Sequence, residues 1–498
     1  MMIPFFLILP LGNAFVTVLI AKADERLQDL FAIFTTLSLF IIALFTLMSV
    51  NAAPNHLLLY RTTGFLPPEG LALVVDGLSV FMLVTVNLVA LFVAIYSSGY
   101  MKKYTDKWKF YALFFLMLAG INGVLVASDI FNLYVFMEIA AISAYFLVAF
   151  GTEADELEAS FKYAIMGSVA SCFILLGIAF LYAHTSTLNM AGIARAIAAS
   201  GATRVLQLVS VLFLMGFGLK AALAPFHAWL AYAHSSAPAP VSAMLSGVLI
   251  KALGIYAIAR IFFSIFGASV QICQILIALG VLSMIIGAVL AFGQTDIKRL
   301  FAYSTVSQIG YVVLALGVAT PLAFLGALVH IFNHSISKSL LFLTSGSIER
   351  LMGTRQIDKI SGVIRRAPAT GYPALFSALS ICGVPPMGGF WAKLIIIFAC
   401  VQSGHPILAL IAALVGVMTL AYYFKPMTCV LFDVGTDASI VMKKACIAIN
   451  TAMVSLAVVV VIAPFILMPG IRKIFIDGAV AVLMNGTSYA NIVFGAIR

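Results

Sequence analysis

The hydrophobicity of this chain is dealt out in apolar runs close to 20 residues long, and that repetition decides most of what the sequence can become. About 20 predominantly apolar residues make a helix long enough to cross the hydrocarbon core of a bilayer. Runs at 2–21, 28–50, 74–98, 109–127, 130–150, 160–183, 204–224, 240–265, 270–292, 300–319, 322–346, 371–401, 405–430 and 446–469 are separated by short polar or Gly/Pro-bearing breaks. The pattern predicts an all-α polytopic membrane protein with fourteen transmembrane helices in a single integral membrane domain over 1–498. Charged residues are 9% of the chain, against about 25% in soluble domains, and no stretch is polar enough for a separate soluble domain. The first run has no positive n-region and no convincing small-residue cleavage site, so it is expected to stay as a span rather than leave as a signal peptide.

Basic residues orient the spans, because cytoplasmic loops carry the excess of Lys and Arg. Of 28 basic residues, sixteen fall in loops after odd-numbered spans and seven, Arg260 among them, on the opposite side with the termini included. The count predicts a multi-pass protein with both termini on the outer side. The net charge of +10 then describes a basic cytoplasmic rim, and nucleic-acid binding is not expected. All six cysteines lie in or beside apolar runs without a CxxC pair, so disulfides, iron–sulfur ligation and zinc knuckles are not expected. The sequence carries no Walker A motif and no strand-embedded GxGxxG, and no cofactor or metal is expected.

The remaining five basic residues, Lys220, Lys251, Lys338, Lys393 and Lys425, fall inside spans, as does Glu138. A charge at mid-bilayer costs at least about 2.5–3.5 kcal/mol on insertion scales, so such groups pair and mark ion paths. Glu138 and Lys220 are the natural pair. In "ALVHIFNHSISKSLLFL", His330, His334 and Lys338 follow at intervals of four, which stacks them on one helical face over about 12 Å. Histidine suits a proton relay, since its ordinary pKa lies near 6.5. The same spacing fits a metal pair, but no Glu follows the first histidine as in HExxH. Lys338 and Lys425 lie toward helix ends, where a lysine can snorkel to the interface, and Lys338 is at most an accessory group. His227 and His234, in "PFHAWLAYAHSSAPAP", flank a loop and read as residues of the cytoplasmic mouth or of structure, at most accessory to the path. The acidic run Glu153, Asp155, Glu156, Glu158 reads as a solvated loop.

Two spans are interrupted. Pro225 follows Lys220 in the seventh; Pro385, Pro386, Gly388 and Gly389 precede Lys393 in the twelfth. Proline inside a helix removes a backbone hydrogen bond and breaks or kinks it. Broken helices in corresponding positions point to an ion path built from inverted repeats. These two are five spans apart and so cross in opposite directions. The reading is two inverted five-helix repeats, spans 4–8 (109–265) and 9–13 (270–430), preceded by spans 1–3 (1–108) and followed by span 14 with its tail (431–498).

The chain resembles the antiporter-like subunits shared by respiratory complex I, membrane-bound hydrogenases and Mrp-type cation/proton antiporters. The resemblance is carried by "VVDGLSVFM" (74–82), "IYSSGYM" (95–101), "DIFNLYVFMEI" (129–139), "FKYAIMGSVASCFILLGIAFLY" (161–182), the long stretch 216–260, "QTDIKRLFAYSTVSQIGY" (294–311), "HIFNHSISKSLLF" (330–342) and "GVPPMGGFWAKL" (383–394). The wording of 129–139 and the lysine at 393 look closest to the D-type Mrp subunit and its hydrogenase counterparts. The large complex I subunit has a long lateral helix, and this chain ends soon after span fourteen. The resemblance implies a midplane chain of charged groups: Glu138 and Lys220 as the Glu–Lys pair, Lys251 as the connecting lysine, His330 and His334 as central histidines and Lys393 as the terminal lysine. It implies protons, with sodium in exchange as a variant, as the ions moved, and other membrane subunits, antiporter-like ones included, as partners within the lipid bilayer. Competing readings are a quinone-associated redox subunit of a membrane arm and a stand-alone carrier of an organic solute.

Overall fold

The structure, a computed structural model, describes residues 2–21, 24–62, 70, 72–104, 106–432, 446–486 and 489–495. Four of the basic residues counted above, Lys22, Lys443, Lys444 and Arg498, lie outside these residues, as does the side chain of Lys425.

The helices in chain order are α1 (Phe5–Leu19), α2 (Glu25–Ala52), α3 (Gly77–Tyr100), α4 (Lys107–Val126), α5 (Ile130–Val148), α6 (Ala154–Thr185) and α7 (Met190–Ser200). There follow α8 (Arg204–Lys220), α9 (Ala228–Ser236), α10 (Ala239–Ile265), α11 (Val270–Phe292), α12 (Ile297–Val318) and α13 (Pro321–Met352). The last are α14 (Pro368–Cys382), α15 (Gly388–Gln402), α16 (Pro406–Phe432), α17 (Ile447–Leu467), α18 (Pro469–Phe475), α19 (Asp477–Met484) and α20 (Tyr489–Gly495). Among the described residues, ten of these are long and apolar enough to cross a membrane. Starts are set by side chains that take up orphan N–H groups: Asp76, Asp129, Asp296 and Thr320 each accept from backbone N–H groups of the first turn that follows.

Three elements depart from the all-helical reading of spans and loops. Strands β1 (Leu57–Arg61) and β2 (Ala72–Asp76) pair antiparallel with Leu57 opposite Asp76. The first residues of the predicted third span are thus strand, and "ALVVD" has the β-branched character that suits a pleated surface. Helix α7 is an 11-residue connector that buries Met190, Ala191, Ile193 and Ala194 and exposes Arg195. The tail after α17 folds into α18, α19 and α20. These tail helices and α7 meet the hairpin and the adjoining end of α3 at one end of the molecule.

An inner layer is enclosed by an outer one. Helix α10 is buried along its whole apolar window, and α3, α4 and α12 nearly so, whereas α2, α6, α11, α16 and α17 present large apolar side chains outward, such as Phe34, Val289 and Val417. Glycines bring α11 and α12 together: a Cβ on Gly280 would lie 2.5 Å from Leu314 N, and one on Gly287 would overlap Ser307 N. In lipid, where apolar burial between helices gains little, such close backbone approach is what holds spans together.

Candidate ion path

Helix α8 stops at Lys220, ahead of a seven-residue break containing Pro225, and α9 resumes at Ala228. A lysine at the last helical position meets the negative end of the helix dipole. Glu138 on α5 reaches the same point, with Oε1 3.0 Å from Lys220 Nζ. Ser171 on α6 joins both: its Oγ donates to Glu138 Oε1 at 2.5 Å and accepts from Lys220 Nζ at 3.1 Å. The lysine side chain is 4% exposed and the glutamate 22%, so one partner is sealed in and the other is reachable from outside.

The second break lies between Cys382 and Gly388, with Gly383 in the left-handed region at φ +80°. A Cβ on Gly389 would overlap Ser380 O, so the two half-helices meet only because that residue is glycine. Lys393 stands on α15, past the break, yet its Nζ turns back to donate to Ile381 O at 2.8 Å and Cys382 O at 3.3 Å. Its backbone is beyond the break, as its place after the prolines and glycines requires, but its ammonium returns to the break itself. The two lysines thus meet their breaks differently: Lys393 donates to carbonyls that end the first half-helix, whereas Lys220, at the last position of its half-helix, donates to Glu138 and Ser171.

Between the breaks run α10 and α13. Lys251 is fully buried in a stretch of α10 that includes π-helical segments at Leu245–Leu249 and Lys251–Tyr256, and its Nζ donates to Ser246 O and Gly247 O, both at 2.6 Å. π-Type distortions recur at functional sites in helices. Gly254, on the same segment, packs against Ala221, the residue after Lys220, and Gly247 packs against Ser339 of α13. Lys251 thus lies between the first break and the polar stripe. His330 and His334 are buried with ring centroids 6.0 Å apart, and among the described residues none of their ring nitrogens makes a well-aligned hydrogen bond. Tyr311 of α12 fills the next gap, 5.7 Å from the His330 ring and 5.4 Å from Lys393 Nζ. Nothing in the sequence pattern singled out Tyr311, because its role depends on where α12 packs.

The accessory residues separate. Lys338 is fully buried and donates to Phe301 O at 2.9 Å and Tyr423 OH at 3.1 Å, which overturns the snorkelling alternative. His234 is fully buried rather than loop-flanking; its ring stacks on Phe342 at 4.6 Å and lies within electrostatic reach of Lys338, Lys298 and Lys251. His227 is only half-buried, beside Tyr303, and is not drawn into this row.

A polar cavity of about 810 Å³ opens at the end of the molecule where α3 stops and α6 and α12 begin. Its lining includes Lys103, Glu156, Asp296, Lys298, Glu349 and Arg355. The acidic run read as a solvated loop lines its rim. Lys298 Nζ contacts Glu349 at 3.4 Å and donates to Ala237 O at 3.1 Å, just past the helix that carries His234.

Arg260 was placed in an outer loop by the basic-residue count. It is instead 2% exposed near the end of α10, bidentate to Asp76 at 2.6 and 2.7 Å, and bonded to Ser79 and Tyr256 as well. Burial raises the Asp76 carboxyl, but the guanidinium outweighs it and holds the group below the ordinary carboxylate range. The signal was available: Arg260 falls inside the 240–265 run.

Against known proteins, the family described as NADH:quinone oxidoreductase/Mrp antiporter, transmembrane, matches residues 127–419, and the complex I chain 5 N-terminus family matches 70–111. The N-type subunit of the NADH-quinone oxidoreductase of Desulforudis audaxviator is 36% identical over 74% of this chain and 74% of its own. The D-type subunit of the Na(+)/H(+) antiporter of Alkalihalophilus pseudofirmus is 33% identical over 82% of each chain. Two solved structures superpose with a TM-score of 0.91 over 99% of both chains: the membrane-bound sulfane sulfur reductase, an archaeal respiratory membrane complex, at 29% identity, and the Mrp complex from Dietzia sp. DQ12-45-1b at 26%. With buried ion pairs and histidines arranged along its inner helices, this chain belongs to the NADH:quinone oxidoreductase/Mrp antiporter family of membrane subunits.

Proposed function

We propose that this chain is the proton-translocating subunit of a multisubunit membrane complex, of the kind represented by the D-type subunit of Mrp sodium/proton antiporters. The observation that carries the reading is the buried row Glu138, Lys220, Lys251, His334, His330, Lys393, which passes from one broken helix to the other across α10 and α13. A structural role alone is a poor account of it, since buried ion pairs add little stability over apolar packing.

The architecture we infer has fourteen spans. The ten long helices are joined by short α1, by α13, whose apolar pattern is broken by its histidines and serines, and by two spans split into α8/α9 and α14/α15. Two inverted repeats, spans 4–8 and 9–13, are supported by the matching position of the breaks and by a glycine-tight pair opening each: α4 with α5 at Gly120 and Gly123, α11 with α12 at Gly280 and Gly287. We place the polar cavity on the cytoplasmic side and both termini outside, in a prokaryotic inner membrane.

In this mechanism Glu138 holds the Lys220 proton while the pair is closed. When the two separate, the carboxylate no longer favours the charged lysine and burial expels its proton. The proton passes by Lys251 to the imidazoles and leaves by Lys393. Moving one charge against 100 mV costs about 2.3 kcal/mol. That energy is supplied by partner subunits or by an opposing sodium gradient. The test is ion flux against an imposed gradient in vesicles holding the assembled complex, with sodium present or replaced by choline. Wild-type flux in a correctly assembled Lys220→Ala complex would sink the proposal; flux that needs sodium would mark an exchanger.

A further inference from the structure

Lys338 is the one member of the α13 stripe for which the path above has no use, and its surroundings show a second route. Its Nζ donates to Tyr423 OH at 3.1 Å on α16. Tyr423 OH is 3.3 Å from Ser304 Oγ on α12, and Tyr422 OH donates to the same oxygen at 3.2 Å. Tyr422 OH lies 3.5 Å from Thr419 Oγ1, which in turn accepts from Gln308 Nε2 at 3.3 Å. Every one of these residues is at most 3% exposed. Gln308 Oε1, at the far end, is buried with no partner among the described residues, and the His330 ring lies within reach of the Gln308 main chain, neither of its nitrogens making a well-aligned hydrogen bond among those residues. A buried amide oxygen and imidazole left unpaired are costly, and a bridging water is the usual remedy where polar atoms converge.

We propose that this row of hydroxyls is a side branch of the proton path, joining Lys338 to His330 by way of a water at Gln308 and running parallel to His334. The inference rests on the proton-relay reading of the stripe. A hydroxyl both donates and accepts and turns freely about its C–O bond, so it passes on one proton for each it receives. In the outward step the Lys338 ammonium gives a proton to Tyr423 oxygen while the Tyr423 proton moves to Ser304. The Ser304 proton moves to Tyr422, that of Tyr422 to Thr419 and that of Thr419 to the water, which protonates His330. One proton leaves Lys338 and one arrives at His330; the hydroxyls then rotate back. Gln308 only holds the water, since its amide does not relay. The sequence offers no sign of the branch, because its members come from three helices.

The test uses proton flux in vesicles holding the whole complex, for Tyr423→Phe, Tyr422→Phe and Ser304→Ala, each alone and combined with His334→Ala, with assembly checked by size-exclusion. The phenylalanine changes delete only hydroxyls and keep the Tyr423 ring stacked on Phe301. We expect each single variant to retain part of the flux, His334→Ala to retain part, and every combination with His334→Ala to lose it at least tenfold further, with a reduced solvent deuterium effect in the branch variants. A defect confined to Tyr423→Phe, absent from Tyr422→Phe and Ser304→Ala, would mean that Tyr423 merely positions Lys338 and would overturn the branch. Additive small losses in the combinations would do the same. The parent reading fails separately: it falls if Glu138→Ala and Lys220→Ala transport normally, whatever the tyrosines do.

Discussion

Two of the buried ion pairs among the described residues, Asp76–Arg260 and Glu138–Lys220, are built in opposite ways. Asp76 and Arg260 are both nearly sealed, meet through two short bonds and are ringed by Ser79, Tyr256 and Tyr489. Glu138 and Lys220 meet through a single 3.0 Å contact, share a serine and leave the carboxylate 22% exposed. Arginine stays protonated and its fork matches a carboxylate on both edges, so the first pair is a fixed clamp between the base of α3 and the end of α10. Lysine is a point charge whose proton affinity shifts readily when it is buried, so the second pair can open and release a proton. Burial of opposite charges is common to both; side-chain chemistry and the number of contacts decide which one moves.

The largest expected effects separate the two pairs. Glu138→Ala and Lys220→Ala are expected to abolish coupled transport in a complex that still assembles, and exchanging the two residues is not expected to restore it. Arg260→Ala and Asp76→Asn are expected to act on folding instead: removing one partner of a buried pair costs about 3–5 kcal/mol, visible as lost assembled complex and a lower melting temperature. If Glu138→Ala disperses the complex while Arg260→Ala transports normally, the contrast is reversed and both assignments go.

Lys393 sharpens the comparison, because among the described residues it bonds only carbonyls and no carboxylate. Lys393→Ala is expected to stop net transport. Lys393→Glu is expected to keep part of it with a shifted pH optimum, and Lys393→Arg to fail, since guanidinium does not give up its proton. Flux against pH for the three variants decides this; an arginine variant as active as wild type would show that the site needs only a fixed charge.

A smaller effect is expected at the histidines. His334→Ala should lower flux without changing the metal content of the purified complex, measured by elemental analysis. One metal ion per complex that vanishes in that variant would turn the relay into a ligand site.

The smallest effect concerns the clamp and pH. The Asp76 carboxyl is held below its ordinary range, so its contribution to stability is fully present above about pH 4 and is lost only as pH falls through the lower folded value. The Asp76→Asn penalty in melting temperature should therefore be constant from about pH 5 to pH 9. A penalty that disappears at the acid end of that window would mean that the carboxylate is not held by Arg260 as described.

Much of this was legible because it is local. Run lengths give helices, the prolines and glycines at 225, 385, 386, 388 and 389 give the breaks, and spacing by four gives the stripe of His330, His334 and Lys338. Where the reading failed, the failure was one of depth. Lys338 and His234 looked close to helix ends, yet α13 runs to Met352 and α9 packs inward, so both are sealed. Arg260 was counted with a loop although its run contained it, because a count of basic residues carries no information about partners. The hairpin was missed because "ALVVD" continues into an apolar helix without a break in hydrophobicity.

The order of residues along the chain determined by itself that this protein is a set of apolar helices with ionisable groups inside them, because helix length, helix breaking and same-face spacing depend on neighbours within a few positions. Only the tertiary structure decided which of those groups touch. Arg260 and Asp76 are 184 residues apart in sequence, Lys220 and Glu138 are 82 apart, and Tyr311 reaches both His330 and Lys393 from a third helix. A helix can be rotated about its axis or slid by a turn at little change in its own hydrophobicity, and close packing against its neighbours, as between Gly254 and Ala221 or Gly389 and Ser380, is what selects one arrangement.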